Sequence, residues 1–137
     1  MPDNKSGESF LEKCLSLFEC YTSVVNASEI FSRCSSKEEI EVAKKYFLGV
    51  SVLGIPFRYS VTAGEILKET EIKSNSSNLR DSLIMTMCVE TKLPMITLNE
   101  NRYIHLSERF NVKLISKEII IQNNSPEIIF KKAKILI

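Results

Sequence analysis

Short runs of β-branched and aromatic residues alternate with amphipathic helical stretches along the chain, and no other feature narrows the fold as far. Tyr21–Val25, Gly49–Ile55, Met95–Thr97 and Val112–Ser116 read as strands, each bounded by turn or capping residues. Between them the apolar spacing changes to that of a helix. Phe10, Leu11, Cys14, Leu15 and Phe18 share one helical pattern, and Ile40, Ala43 and Phe47 share a second. Further helices are predicted over Val61–Ile72, Leu79–Thr91 and Tyr103–Phe110. Asn26-Ala27-Ser28 caps another that begins near Glu29 and carries Ile30 and Phe31. Ser125-Pro126-Glu127 places an N-cap hydroxyl, a proline at the first helical position and an acid in the first turn, so a closing helix is expected from there through Leu136. Strands that alternate with helices predict an α/β domain in which helices flank a central parallel sheet.

Composition agrees with such a domain and removes several other classes. The chain has 137 residues, 44% hydrophobic and 26% charged, the balance of an ordinary globular protein. That length favours one domain, which on folding buries roughly two-thirds of the surface that the unfolded chain exposes. No apolar run approaches the roughly 18–20 residues that span a bilayer, and Met1–Glu8 is too polar for a secretory signal. The formal net charge is +1, so a nucleic-acid contact would need locally grouped lysines and arginines. Cys14, Cys20, Cys34 and Cys88 include no pair with the spacing of a zinc site or redox motif. They are expected to be reduced thiols in a cytoplasmic protein.

In parallel α/β sheets, ligands collect beyond the carboxyl ends of the strands. Three acidic residues fall near such ends: Glu29 after the first strand, Asp81 in the first turn of the Leu79 helix, and Glu100 in the polar turn Asn99–Asn101. Converging oxygen ligands of this kind suit Mg²⁺ or Mn²⁺. An acid in a helix's first turn also stabilises the helix dipole with no further role, and Glu100 in a polar turn can be simple surface charge. His105 has no serine or cysteine arrangement around it and reads as a surface residue. Lys37, Lys44-Lys45 and Lys131-Lys132 read as solvated helix faces.

Two stretches carry a family resemblance. Leu79-Arg80-Asp81-Ser82-Leu83-Ile84, followed by Leu93-Pro94-Met95-Ile96-Thr97-Leu98-Asn99 and then Tyr103, resembles the second half of a PIN domain. Tyr21-Thr22-Ser23-Val24-Val25-Asn26-Ala27-Ser28-Glu29-Ile30 is similar to that family's second strand and its Glu-bearing helix. Val112–Ser116 and Ser125-Pro126-Glu127 are similar to its last strand and closing helix. The resemblance covers roughly residues 8–130. It implies a three-layer PIN-like domain and a divalent-metal-dependent endoribonuclease, the toxin of a toxin–antitoxin pair. It implies Glu29 and Asp81 as catalytic and metal-binding residues, assisted by Asn99 or Glu100, with Mg²⁺ or Mn²⁺ lowering the pKa of a bound water. RNA as substrate, a small antitoxin protein as partner and a homodimer follow from the same resemblance. The alternative is a PIN-like scaffold of impaired activity that works through protein–protein contacts.

One family element has no counterpart near the N-terminus. PIN domains begin with a buried strand ending in Asp, and nothing comparable precedes residue 10. Asp3-Asn4 has the right letters with Met1-Pro2 before it. That strand is central in the family, and its loss leaves backbone groups unpaired at roughly 1–3 kcal/mol for each buried one. Either the chain starts downstream of its first strand, or the neighbouring strands close on each other, or another segment takes the place. Lys134–Ile137 is the candidate segment, and a strand swapped from a second chain is a variant of that solution.

Overall fold

The computed structural model describes residues 10–71, 78–116 and 133–136. They form a mixed α/β arrangement, mostly helical, around a small parallel sheet. In chain order the elements are α1 (Phe10–Leu17), β1 (Phe18–Ser23), α2 (Val24–Ser32), α3 (Lys37–Tyr46), β2 (Val50–Leu53), a 3-10 turn (Phe57–Tyr59), α4 (Ser60–Glu71), α5 (Asn78–Thr91), α6 (Glu100–Arg109) and β3 (Ala133–Leu136). No helix among the described residues is long and apolar enough to cross a membrane.

The sheet order is β2-β1-β3, and both pairings are parallel. Cys20 faces Val50 and Ser23 faces Leu53 on one side of β1, while Phe18 faces Ala133 and Tyr21 faces Leu136 on the other. A parallel pair needs a crossover rather than a tight turn, and α2 with α3 supplies it between β1 and β2. A second parallel contact lies outside these strands. The Met95 N–H donates to the Lys113 carbonyl at 2.8 Å and the Ile115 N–H donates to the Met95 carbonyl at 2.9 Å, with α6 as the crossover between them.

Several boundaries differ from the sequence reading. The first strand is Phe18–Ser23 rather than Tyr21–Val25, because Ser23 is an N-cap: its hydroxyl accepts from the Asn26 N–H at 3.2 Å. That bond starts α2 at Val24 despite the two β-branched valines, and Asn26-Ala27-Ser28 lies inside the helix instead of capping it. Of the predicted strands Met95–Thr97 and Val112–Ser116, only the bridge between Met95 and Leu114 forms. Asn99–Asn101 is not a free turn, since Asn99 is the N-cap of α6 and the helix begins at Glu100. The helix expected to run through Leu136 does not, because residues 133–136 are a strand. This is the segment named for the vacant strand position, and it lies along β1 on the edge opposite β2. The proposed helix start at Ser125 and the Asp3 candidate lie outside the described residues.

The core has two parts. Ile66, Ile84, Met85, Met87, Cys88, Met95, Tyr103 and Leu106 pack where α4, α5 and α6 meet. Cys14, Leu17, Cys20 and Ile96 form a second cluster between α1 and β1. Helix α5 is buried over most of its circumference, with Ser82 and Thr86 inside along with the apolar residues. Both hydroxyls donate to the carbonyl four residues earlier, at 2.7 Å for Ser82 and 2.6 Å for Thr86, which makes their burial tolerable. Burial on more than one face leaves Leu83 half-buried while Met85 is fully enclosed.

Candidate functional site

Asp81 sits in the first turn of α5 and is 6% exposed. A buried carboxylate requires partners that offset its lost hydration, and Asp81 has three. Arg102 Nε, from the first turn of α6, donates to Oδ1 at 2.9 Å and Oδ2 at 2.8 Å. Arg80 Nη1 donates to Oδ1 at 3.1 Å. The Tyr103 hydroxyl donates to Oδ1 at 3.2 Å and accepts from Arg80 Nη1 at 2.8 Å. Burial pushes the Tyr103 phenol up to about 12, and the adjacent Asp81 charge acts in the same direction.

Glu29 joins this group from α2. Its carboxylate accepts from Arg80 Nε in an ion pair across 51 residues of sequence. That bond is the main reason the Arg80 guanidinium holds its proton more tightly than a free one. Glu29 lies in the second half of α2 rather than in a first turn, as a consequence of the earlier helix start. The two acids singled out from sequence are therefore brought together through one guanidinium.

The other two candidates are not brought into this group. Asn99 is exposed, makes no side-chain capping bond, and its N–H donates to the Thr97 hydroxyl at 3.1 Å. Glu100 lies in the first turn of α6 and is half-buried, with no bond to Asp81 or Glu29. The α6 side chain that reaches Asp81 is Arg102, a cation. His105 is exposed, as expected.

Sequence reasoning missed Arg80 and Arg102. A signal was present: each stands third in its helix, where a cation opposes the helix dipole. A basic residue in a first turn without an evident reason implies an acidic partner elsewhere in the fold. No protein-family model matches the chain, and a search among curated proteins finds no match.

A divalent cation requires several oxygen ligands whose negative charge is free to face it. Here two carboxylates are matched by two guanidiniums, so the cluster is neutral as a whole. Both Asp81 oxygens accept from Arg102, and Glu29 accepts from Arg80. Among the described residues no group of three or more His, Cys, Asp or Glu side chains stands ready to hold a metal. In this arrangement the donor set does not fit Mg²⁺ or Mn²⁺.

Proposed function

We propose that this chain is a PIN-like domain that acts through contacts with other macromolecules rather than by metal-dependent cleavage. One observation carries the reading: Arg102 donates to both oxygens of Asp81 and supplies the countercharge that a metal would otherwise bring. The exposed apolar side chains Leu48, Phe57 and Val61, at 86%, 91% and 73% exposure, are available to such a contact. A small antitoxin-like protein or a second copy of the chain is the partner class this reading implies.

The second reading is the Mg²⁺- or Mn²⁺-dependent endoribonuclease of a toxin–antitoxin pair. It draws support from the convergence of Glu29 and Asp81 on Arg80 despite their distance in sequence. It requires both arginines to leave the carboxylates. The two readings separate in one experiment. The purified chain and its Asp81→Asn variant are each given single-stranded RNA with Mg²⁺ and then Mn²⁺, and metal binding is followed by calorimetry. The proposal expects no metal-dependent cleavage and no metal heat from either. Cleavage by the parent chain that the variant lacks would replace it with the nuclease reading.

A further inference from the structure

Arg80 and Arg102 are held by one edge each. Arg102 uses only Nε, toward Asp81, and Arg80 uses Nε toward Glu29 and Nη1 toward Asp81 and Tyr103. A guanidinium carries five N–H donors in a fixed plane. Both terminal nitrogens of Arg102 and Nη2 of Arg80 thus have no hydrogen-bond partner among the described residues. The two side chains are each about a third exposed, at 32% and 34%, so these donors are not sealed in the core. Because both arginines donate to the same Asp81 oxygen, their guanidiniums are close neighbours.

We infer that this arginine pair is a binding site for a phosphate group, one that works without a metal. Planar guanidiniums match the spacing of phosphate oxygens and bind them through paired, charge-assisted hydrogen bonds. The carboxylates supply the order that such a site requires. Glu29 and Asp81 fix both planes before any ligand arrives, which removes much of the side-chain entropy that free arginines lose on binding. They also cancel the repulsion between the two cations. The site lies at the first turns of α5 and α6, where Asp81 and Glu100 already face the partial positive helix ends, so the unused guanidinium donors are what a phosphate would meet. No side chain caps the start of α6.

The inference goes beyond the contact role proposed above, and its test is run in EDTA, so that a metal-dependent activity and a phosphate site are judged separately. Inorganic phosphate is titrated into the full chain at constant ionic strength and followed by ¹H–¹⁵N NMR of the arginine side chains and the backbone. Adenosine 5′-monophosphate is titrated in parallel. Saturable shifts at Arg80, Arg102 and the first turn of α6 are expected, with Kd on the order of 1 mM or below. Binding of the nucleotide tenfold tighter than the ion would assign a terminal nucleotide phosphate as the source, and equal binding would assign the free ion. Arg102→Met should weaken binding at least about tenfold, the value of one charge-assisted contact. Arg102→Lys keeps the charge and the ion pair with Asp81, and it is expected to fall between the two. It also covers the case in which the methionine variant fails to fold. Lys44→Met, at an exposed helical pair remote in sequence, should bind as the parent does. Absence of saturable shifts in the parent chain, or equal affinity in parent and Arg102→Lys, overturns the inference.

Discussion

At the residue scale, Asp81 is the side chain whose environment is most demanding. It is buried, charged and held by two cations and a phenol. Removing one partner of such a group leaves the others unsatisfied, which costs more than the pair itself contributes. Asp81→Asn is expected to lower stability by about 1–3 kcal/mol in urea unfolding, since both arginines keep access to water. A double-mutant cycle with Arg102→Met should show a coupling of about 0.5–3 kcal/mol. Additive effects would mean that the Asp81–Arg102 pair contributes nothing.

The cysteines give a pH dependence at the same scale. Burial pushes the Cys14 and Cys88 thiols up to about 12 from the ordinary 9.0, with Cys20 adding to the effect at Cys14. Between these values the unfolded chain has lost its thiol protons while the folded chain keeps them, so unfolding becomes easier as pH rises from about 9 toward 12. The Cys88 contribution approaches about 1.4 kcal/mol per pH unit in that window, and Cys88→Ala should flatten the decline. A thiol reagent should modify Cys34 first in the native protein, because Cys14, Cys20 and Cys88 are buried. Rapid labelling of all four without denaturant would contradict this placement of the cysteines.

At the scale of elements, helices were more legible in the sequence than strands. The helix that carries Ile40 and Ala43 is legible locally, since Ser36 accepts from the Glu39 N–H at 3.1 Å and Glu39 accepts from the Ser35 N–H at 2.6 Å. Such signals are local and can be seen in four residues. The register of Phe18–Ser23 depends on partners 30 and 115 residues away, which no local pattern encodes. Helix ends carry a prediction as well. Lys92 closes α5 with φ at 58°, the left-handed region that suits glycine. Lys92→Gly should raise stability by up to about 1 kcal/mol in thermal or urea melts. A destabilised variant would show that the lysine side chain, exposed here, holds a contact stronger than the backbone strain.

At the scale of the whole molecule, the sheet joins two distant parts of the chain, and this explains what the sequence could and could not tell. Asp81 is legible as a candidate because it is a helix-start acid, and Glu29 because the sequence pattern sets it just after a strand, although α2 begins earlier and holds it in its second half. Their meeting is not, because it is made by Arg80, with Arg102 added on Asp81, and this arrangement exists only once three helices are assembled. The apolar segment near the end of the chain was legible only as a question, since four residues can end a helix or form a strand. Its pairing with β1 answers it. If β3 completes the sheet, a chain ending at Lys132 exposes the backbone groups that Phe18–Tyr21 present to that edge. Each group left unsatisfied costs about 1–3 kcal/mol where water cannot reach it. The truncated chain should therefore unfold at lower urea concentration, and amide exchange in β1 should accelerate more than in α5, whose core does not depend on that edge. It should also fold faster relative to its stability, because closing a contact between residues 18 and 133 is a slow, long-range step. An unchanged unfolding midpoint together with unchanged exchange in β1 would mean that the sheet stands on β1 and β2 alone.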